Sequence, residues 1–168
     1  MCKLKIEILL IVFLLSGITL YARQTDQSLS SLKGIKKIGV LVEKFNADIY
    51  KNGVSEDVIR QAAANLLRKN GIIVIPVSET KKIPGAPYLY INIGAIKSQH
   101  DELYAVSINV QLRQNVILSR DSTKEYFGIP TWSNSNIGII SKDKLNQIED
   151  YVKEAVNIFI NDYQTAND

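Results

Sequence analysis

The chemistry open to this chain is limited first by its histidine and its cysteine. It has one of each, His100 and Cys2. A Ser-His-Asp or Cys-His nucleophile would have to use His100. That residue lies in the polar run Lys97 to Glu102, where a solvated loop histidine is the plainer reading. Metal centres need clustered His, Cys, Asp or Glu. The acidic residues come instead as the adjacent doublets Glu56-Asp57, Asp101-Glu102 and Glu149-Asp150. Adjacent residues do not face one another on a helix or a strand. There is no glycine-rich phosphate loop and no nucleophile elbow. The expectation is a non-enzymatic protein with no metal and no cofactor. A carrier of a small apolar or lipidic ligand, held between helices and sheet near Trp132, is the first alternative; a hydrolase with two carboxylates brought from distant segments is the second, with no spacing that supports it.

Recognition chemistry is better represented. Tyr88 and Tyr90, with Asn109, Gln111 and Arg113, are the types that serve as recognition surfaces: an aromatic body with a polar tip, an arginine, and small amides. Trp132, beside Ser133-Asn134-Ser135-Asn136, is the remaining candidate, either closing a groove or packing at the end of a sheet. These six are the candidate binding residues. The plain alternative for the first five is an ordinary wet sheet face.

The elements that must position them follow from residues 88–118. From Tyr104 the even positions are Tyr104, Val106, Ile108, Val110 and Leu112, and the odd ones Ala105, Ser107, Asn109, Gln111 and Arg113. Strict alternation predicts an antiparallel strand with one apolar and one wet face. The preceding strand puts Leu89, Ile91, Ile93 and Ala95 on one side and Tyr88 and Tyr90 on the other. A third strand is expected over 124–131, entered through Arg120-Asp121-Ser122. The Ser/Asn run 133–136 and Gly138 then predict a loop.

Upstream, residues 35–43 predict a first strand and 54–69 a helix whose buried stripe is Val58, Ile59, Ala62, Ala63 and Leu66. Asn70-Gly71 supplies a left-handed terminus. Residues 72–77, apolar on both faces, predict a strand parallel to the first. A final helix over 142–163, capped by Ser141, shows a core stripe of Leu145, Ile148, Val152, Ala155, Phe159 and Tyr163. The order β-α-β-β-β-β-α predicts an α+β two-layer sandwich, a mixed four- to five-stranded sheet with two helices on one face. Gln114, the one polar residue in the inward row, is expected to bond a helix end or a loop carbonyl.

Residues 1–22 have the layout of a secretory signal peptide: Lys3 and Lys5, an apolar run from Ile8 to Leu20, then Ala22 at the cleavage point. An N-terminal membrane anchor is the alternative. Cys2 precedes the apolar run, unlike a lipoprotein cysteine. Residues 23–33 read as a polar linker and 34–168 as one α+β domain. The formal charge of +3 is small and dispersed, which argues against nucleic acid. After cleavage no stable membrane span is expected. The expected location is periplasmic or secreted, and the expected partner another cell-envelope protein or a second copy.

Several short elements resemble a group of small exported bacterial proteins of unknown function: "LKGI" at 32–35, "VLVE" at 40–43, "GI" at 71–72 and "PYLYINI" at 87–93. Further along are the alternating row Val110 to Leu118, "TW" at 131–132 and "FINDY" at 159–163. In topology alone the chain is similar to envelope adaptor domains such as the lipopolysaccharide-assembly lipoprotein and the amino-terminal domain of the Tol-Pal translocation protein. The resemblance implies location more than activity.

Overall fold

A computed structural model describes residues 26–45, 50 and 53–168; the expected signal peptide lies outside the described residues. In chain order the elements are helix α1 (Asp26–Ser30), strand β1 (Lys37–Val42), helix α2 (Glu56–Lys69) and strand β2 (Ile73–Val74). They continue with the short helix α3 (Val77–Thr80), strands β3 (Tyr88–Lys97), β4 (Leu103–Leu118) and β5 (Asp121–Ser141), a 3-10 segment (Lys142–Gln147) and helix α4 (Ile148–Asn167). The strands form one mixed sheet in the order β2-β1-β3-β4-β5. β1 runs parallel to both β2 and β3, and the β3–β4–β5 meander is antiparallel. This is the expected α+β sandwich.

The alternation read from the sequence sets the layers. Leu89, Ile91, Ile93, Ala95, Val106, Ile108, Val110 and Leu112 are all buried on one sheet face. Ile38, Val40 and Val42 of β1 join them, and α2 and α4 close the core from that side. α2 starts where Ser55 accepts the amide of Val58 at 3.3 Å. It ends in a Schellman motif: Ile72 N donates to Leu67 O, Gly71 N donates to Arg68 O, and Gly71 has φ +81.

Five expectations need correction. Within the linker 23–33, α1 forms and Leu32 is fully buried, so the packed unit reaches back at least to Leu29. Short polar residues do not forbid a helix when one leucine anchors it. The α2 stripe is Ile59, Ala63, Ala64 and Leu67, with Val58 exposed; the i, i+4 ridge starting at Ile59 is the one that meets the sheet. The strand over 72–77 is only Ile73–Val74, an edge with Ile73 exposed, because Pro76 ends the pairing and α3 follows. Ser141 caps no helix with its side chain, and the last helix begins six residues later, after the 3-10 segment, and runs to Asn167. The loop over 133–138 is absent. β5 continues through it, pairing residue for residue with Leu103–Leu112 of β4. A sheet edge needs backbone partners on one side only, so serine and asparagine are tolerated there despite their low strand preference.

Candidate functional site

The wet face of the sheet carries five of the six candidates. Register puts Tyr88 opposite Arg113, Tyr90 opposite Gln111 and Asn92 opposite Asn109. The Arg113 guanidinium lies over the Tyr90 ring, 3.7 Å from its centroid, in cation–π geometry. Arg113 Nε donates to Gln111 Oε1 at 2.9 Å. The Tyr90 hydroxyl donates to Glu43, at the end of β1. This bond to a carboxylate, reinforced by partial burial and by the charge of Glu43, pushes the Tyr90 phenol above its ordinary 10.0; the Arg113 charge pulls the other way and is outweighed. Among the described residues no carboxylate forms an ion pair with Arg113. The result is a flat aromatic–guanidinium plate, gripped at both ends, with cationic character facing outward.

Asn109 stands further along β4 and accepts from Ser135 Oγ at 3.1 Å. Tyr88 reaches the other way, toward the bulged part of β5. All three register shifts between β4 and β5 fall between Leu112 and Leu118. Gly128 sits among them with φ +63, and a Cβ there would stand 2.8 Å from the Tyr88 hydroxyl. Both facts require glycine.

Next to Tyr88 the face hollows into a cleft of about 730 Å³, lined by Leu41, Tyr88, Ile83, Pro84, Asn115 and Phe127 among others. α3 forms part of its wall. α3 packs on the wet side of β1, against Gly39, where an added Cβ would meet Thr80 Cγ2 at 2.9 Å. Among the described residues, α3 thus covers the β1 end of this face, and β3, β4 and β5 are left open. Phe127 is 72% exposed at the cleft's rim.

Trp132 does not belong to this face. It is 1% exposed, edge-on to Phe159 at 5.1 Å, and its indole donates to Asp162 Oδ2 at 2.8 Å. It faces the helices because it pairs with the inward residue Leu112. Its role is packing, and it closes no groove. Around it the scattered motifs meet. The Tyr163 hydroxyl donates to Ile35 O at 2.6 Å, and Asn167 Oδ1 accepts from Gly34 N. Gln114 donates to Ser31 O at 3.0 Å and to Thr131 Oγ1 at 2.8 Å, the loop-carbonyl contact expected of it. "LKGI", "TW" and "FINDY" therefore form one latch that ties residues 31–35 to β5 and α4. His100 is exposed in the β3–β4 loop.

Glu43, Leu41 and Phe127 were not among the sequence candidates. Parity alone could have put Leu41 and Glu43 on the wet face, opposite in phase to Val40 and Val42. What sequence did not reveal is that β1 lies directly beside β3, with Leu41 opposite Tyr90.

No protein-family model matches the sequence, and no curated protein matches it. Among solved structures, the chain is similar to the PelC dodecamer from Paraburkholderia phytofirmans at 14% identity and a TM-score of 0.40, covering 77% of this chain and 87% of that one. It is also similar to a minor lipoprotein from Acinetobacter baumannii at 11% identity and a TM-score of 0.32, covering 79% of this chain and 93% of that one.

Proposed function

We propose that this protein is an exported, non-enzymatic binding module of the bacterial cell envelope, engaging another envelope protein through its open sheet face. The observation that carries this reading is the Tyr90–Arg113 plate, held by Glu43 and Gln111 on a sheet face that no other described element covers at β3 and β4. Fixing both side chains in advance lowers the ordering cost of binding, and tyrosine and arginine are the types that dominate binding hot spots. Arg113 suits a partner carboxylate or carbonyl. The signal-peptide layout of residues 1–22 supports export. No described helix is long and apolar enough to cross a membrane.

A second reading rests on the cleft beside Phe127: a carrier of a small apolar or lipidic ligand. Its volume lies within the range of small-molecule sites, and its mainly apolar lining, with Lys81 and Glu125 among its residues, would suit a cargo with a polar end. In this reading the ligand lies against Phe127 and Leu41, on the opposite side of the sheet from Trp132.

Tyr90→Ala and Arg113→Ala separate the two. Under the first reading each weakens capture of the partner at least tenfold, the loss of about 1.4 kcal/mol expected at a hot spot. Phe127→Ala leaves capture unchanged but empties a carrier. Capture retained in both the Tyr90 and Arg113 variants would remove this surface from consideration.

A further inference from the structure

The sheet has two edges, and they are unequal. β2 is two residues long, whereas β5 presents one flank of 21 residues. An open edge is a template for pairing, and proteins usually blunt it with charge, proline or bulges. β5 does so in its first part only. Lys124, Glu125, Gly128 and Pro130 lie there, with all three register shifts. From Trp132 to Ser141 the strand pairs with β4 through ten unbroken registers, without proline. Tyr126 to Ser141 carries no charge.

Both flanks of this second part expose apolar surface toward its far end. On the wet face Ile137 is 83% exposed and Ile139 75%; Ile139 lies in one cross-strand row with Ala105 and Ile96, itself 75% exposed. On the helix side Asn136 and Gly138 are too small to cover the core. They leave a groove of about 420 Å³ against α4, floored by Val106 and Ile108 and walled by Tyr151 and Ile158, with Glu154 the one charged residue that lines it.

We propose that residues 135–141 of β5 pair antiparallel with the same residues of a second copy, about a two-fold axis at Gly138, joining two sheets into one. Charge selects the occupant. An uncharged strand meets its own copy with no like charges opposed, which a symmetric contact requires. Face parity puts the axis at a residue rather than between two, and the two exposed isoleucines on either side of Gly138 place it there. Ile137 stands opposite Ile139 of the second copy, so the exposed Ile96–Ala105–Ile139 row continues across the junction. The surface is separate from the Tyr90–Arg113 plate and does not depend on it.

The test uses protein isolated from its producing cells, with mass read by light scattering. Wild type should show twice the monomer mass, and the double variant Ile137→Lys, Ile139→Lys a single mass; both positions are solvent-facing, so folding survives. Gly138→Cys should form a disulfide-linked pair on mild oxidation. A Cβ at 138 meets nothing within 4 Å, and the chain's own cysteine is Cys2 alone. Thr123→Cys, on the blunted part of the same edge, should not. A monomeric wild type, a double mass that survives both lysines, or a cross-link from 138 to a different chain would each overturn the proposal. Tyr90→Ala should leave the double mass intact, which keeps this outcome apart from failure of the partner surface.

Discussion

Two side chains show how differently one residue type can be used. Tyr90 and Trp132 are both aromatic, and both bond a carboxylate through their polar end. Tyr90 does so at the surface with its ring under Arg113; Trp132 does so in the core with its ring against Phe159. Substitutions should separate them. Trp132→Ala removes a fully packed ring and strands Asp162, and should cost about 3–5 kcal/mol in denaturant unfolding. Glu43→Gln should leave stability nearly unchanged but move Tyr90, whose ionisation lies above 10.0, back toward that value. The sign is set by the raised phenol. The stabilisation from the Tyr90–Glu43 bond is whole below pH 10 and is lost as pH rises through the folded phenol's ionisation. Alkaline titration followed by tyrosinate absorbance checks both statements. Sequence separated these two aromatics only partly. Parity placed Tyr90 on the wet face. Trp132 came after a bulged strand, and each added residue flips the face, so its parity could not be counted from β4.

At the scale of elements, what the sequence made legible was local alternation. β3, β4 and α4 follow from periodicity of two and of 3.6, because each has one buried and one solvated side. The failures share another cause. Serine and asparagine after Thr131 suggest a turn from sequence, while the pairing of this part of β5 with Leu103–Leu112 is a non-local fact. The 72–77 segment, apolar on both faces, does pair parallel with β1, yet only as a two-residue edge followed by α3. α3 itself explains Gly39, which no local pattern demanded. Gly39→Val should drive the new side chain into Val77 and Thr80 and displace α3, at about 1–3 kcal/mol. Hydrogen exchange should then rise in residues 77–86 while β4 stays protected.

At the scale of the whole molecule, the chain puts its packing on one side of the sheet and its polar and aromatic display on the other. The latch of Gln114, Tyr163 and Asn167 holds the segment around Leu32 to the body. Among the described residues nothing packs over the β3–β4–β5 face. The fold class was legible because it needs only the order and sidedness of the elements. The composition of the site was half legible: Tyr88, Tyr90, Gln111 and Arg113 from alternation, but Glu43, Leu41 and Phe127 only once β1 lay beside β3 and the bulges of β5 were in place. The most direct measurement is site-specific photo-cross-linking in intact cells, with the reactive group placed at 92, beside the plate, or at 154, on α4. The account predicts one discrete adduct with an envelope protein from 92, lost when Arg113→Ala is added, and no such adduct from 154. The same adduct from both positions, or one from 92 that is indifferent to Arg113→Ala, would contradict it.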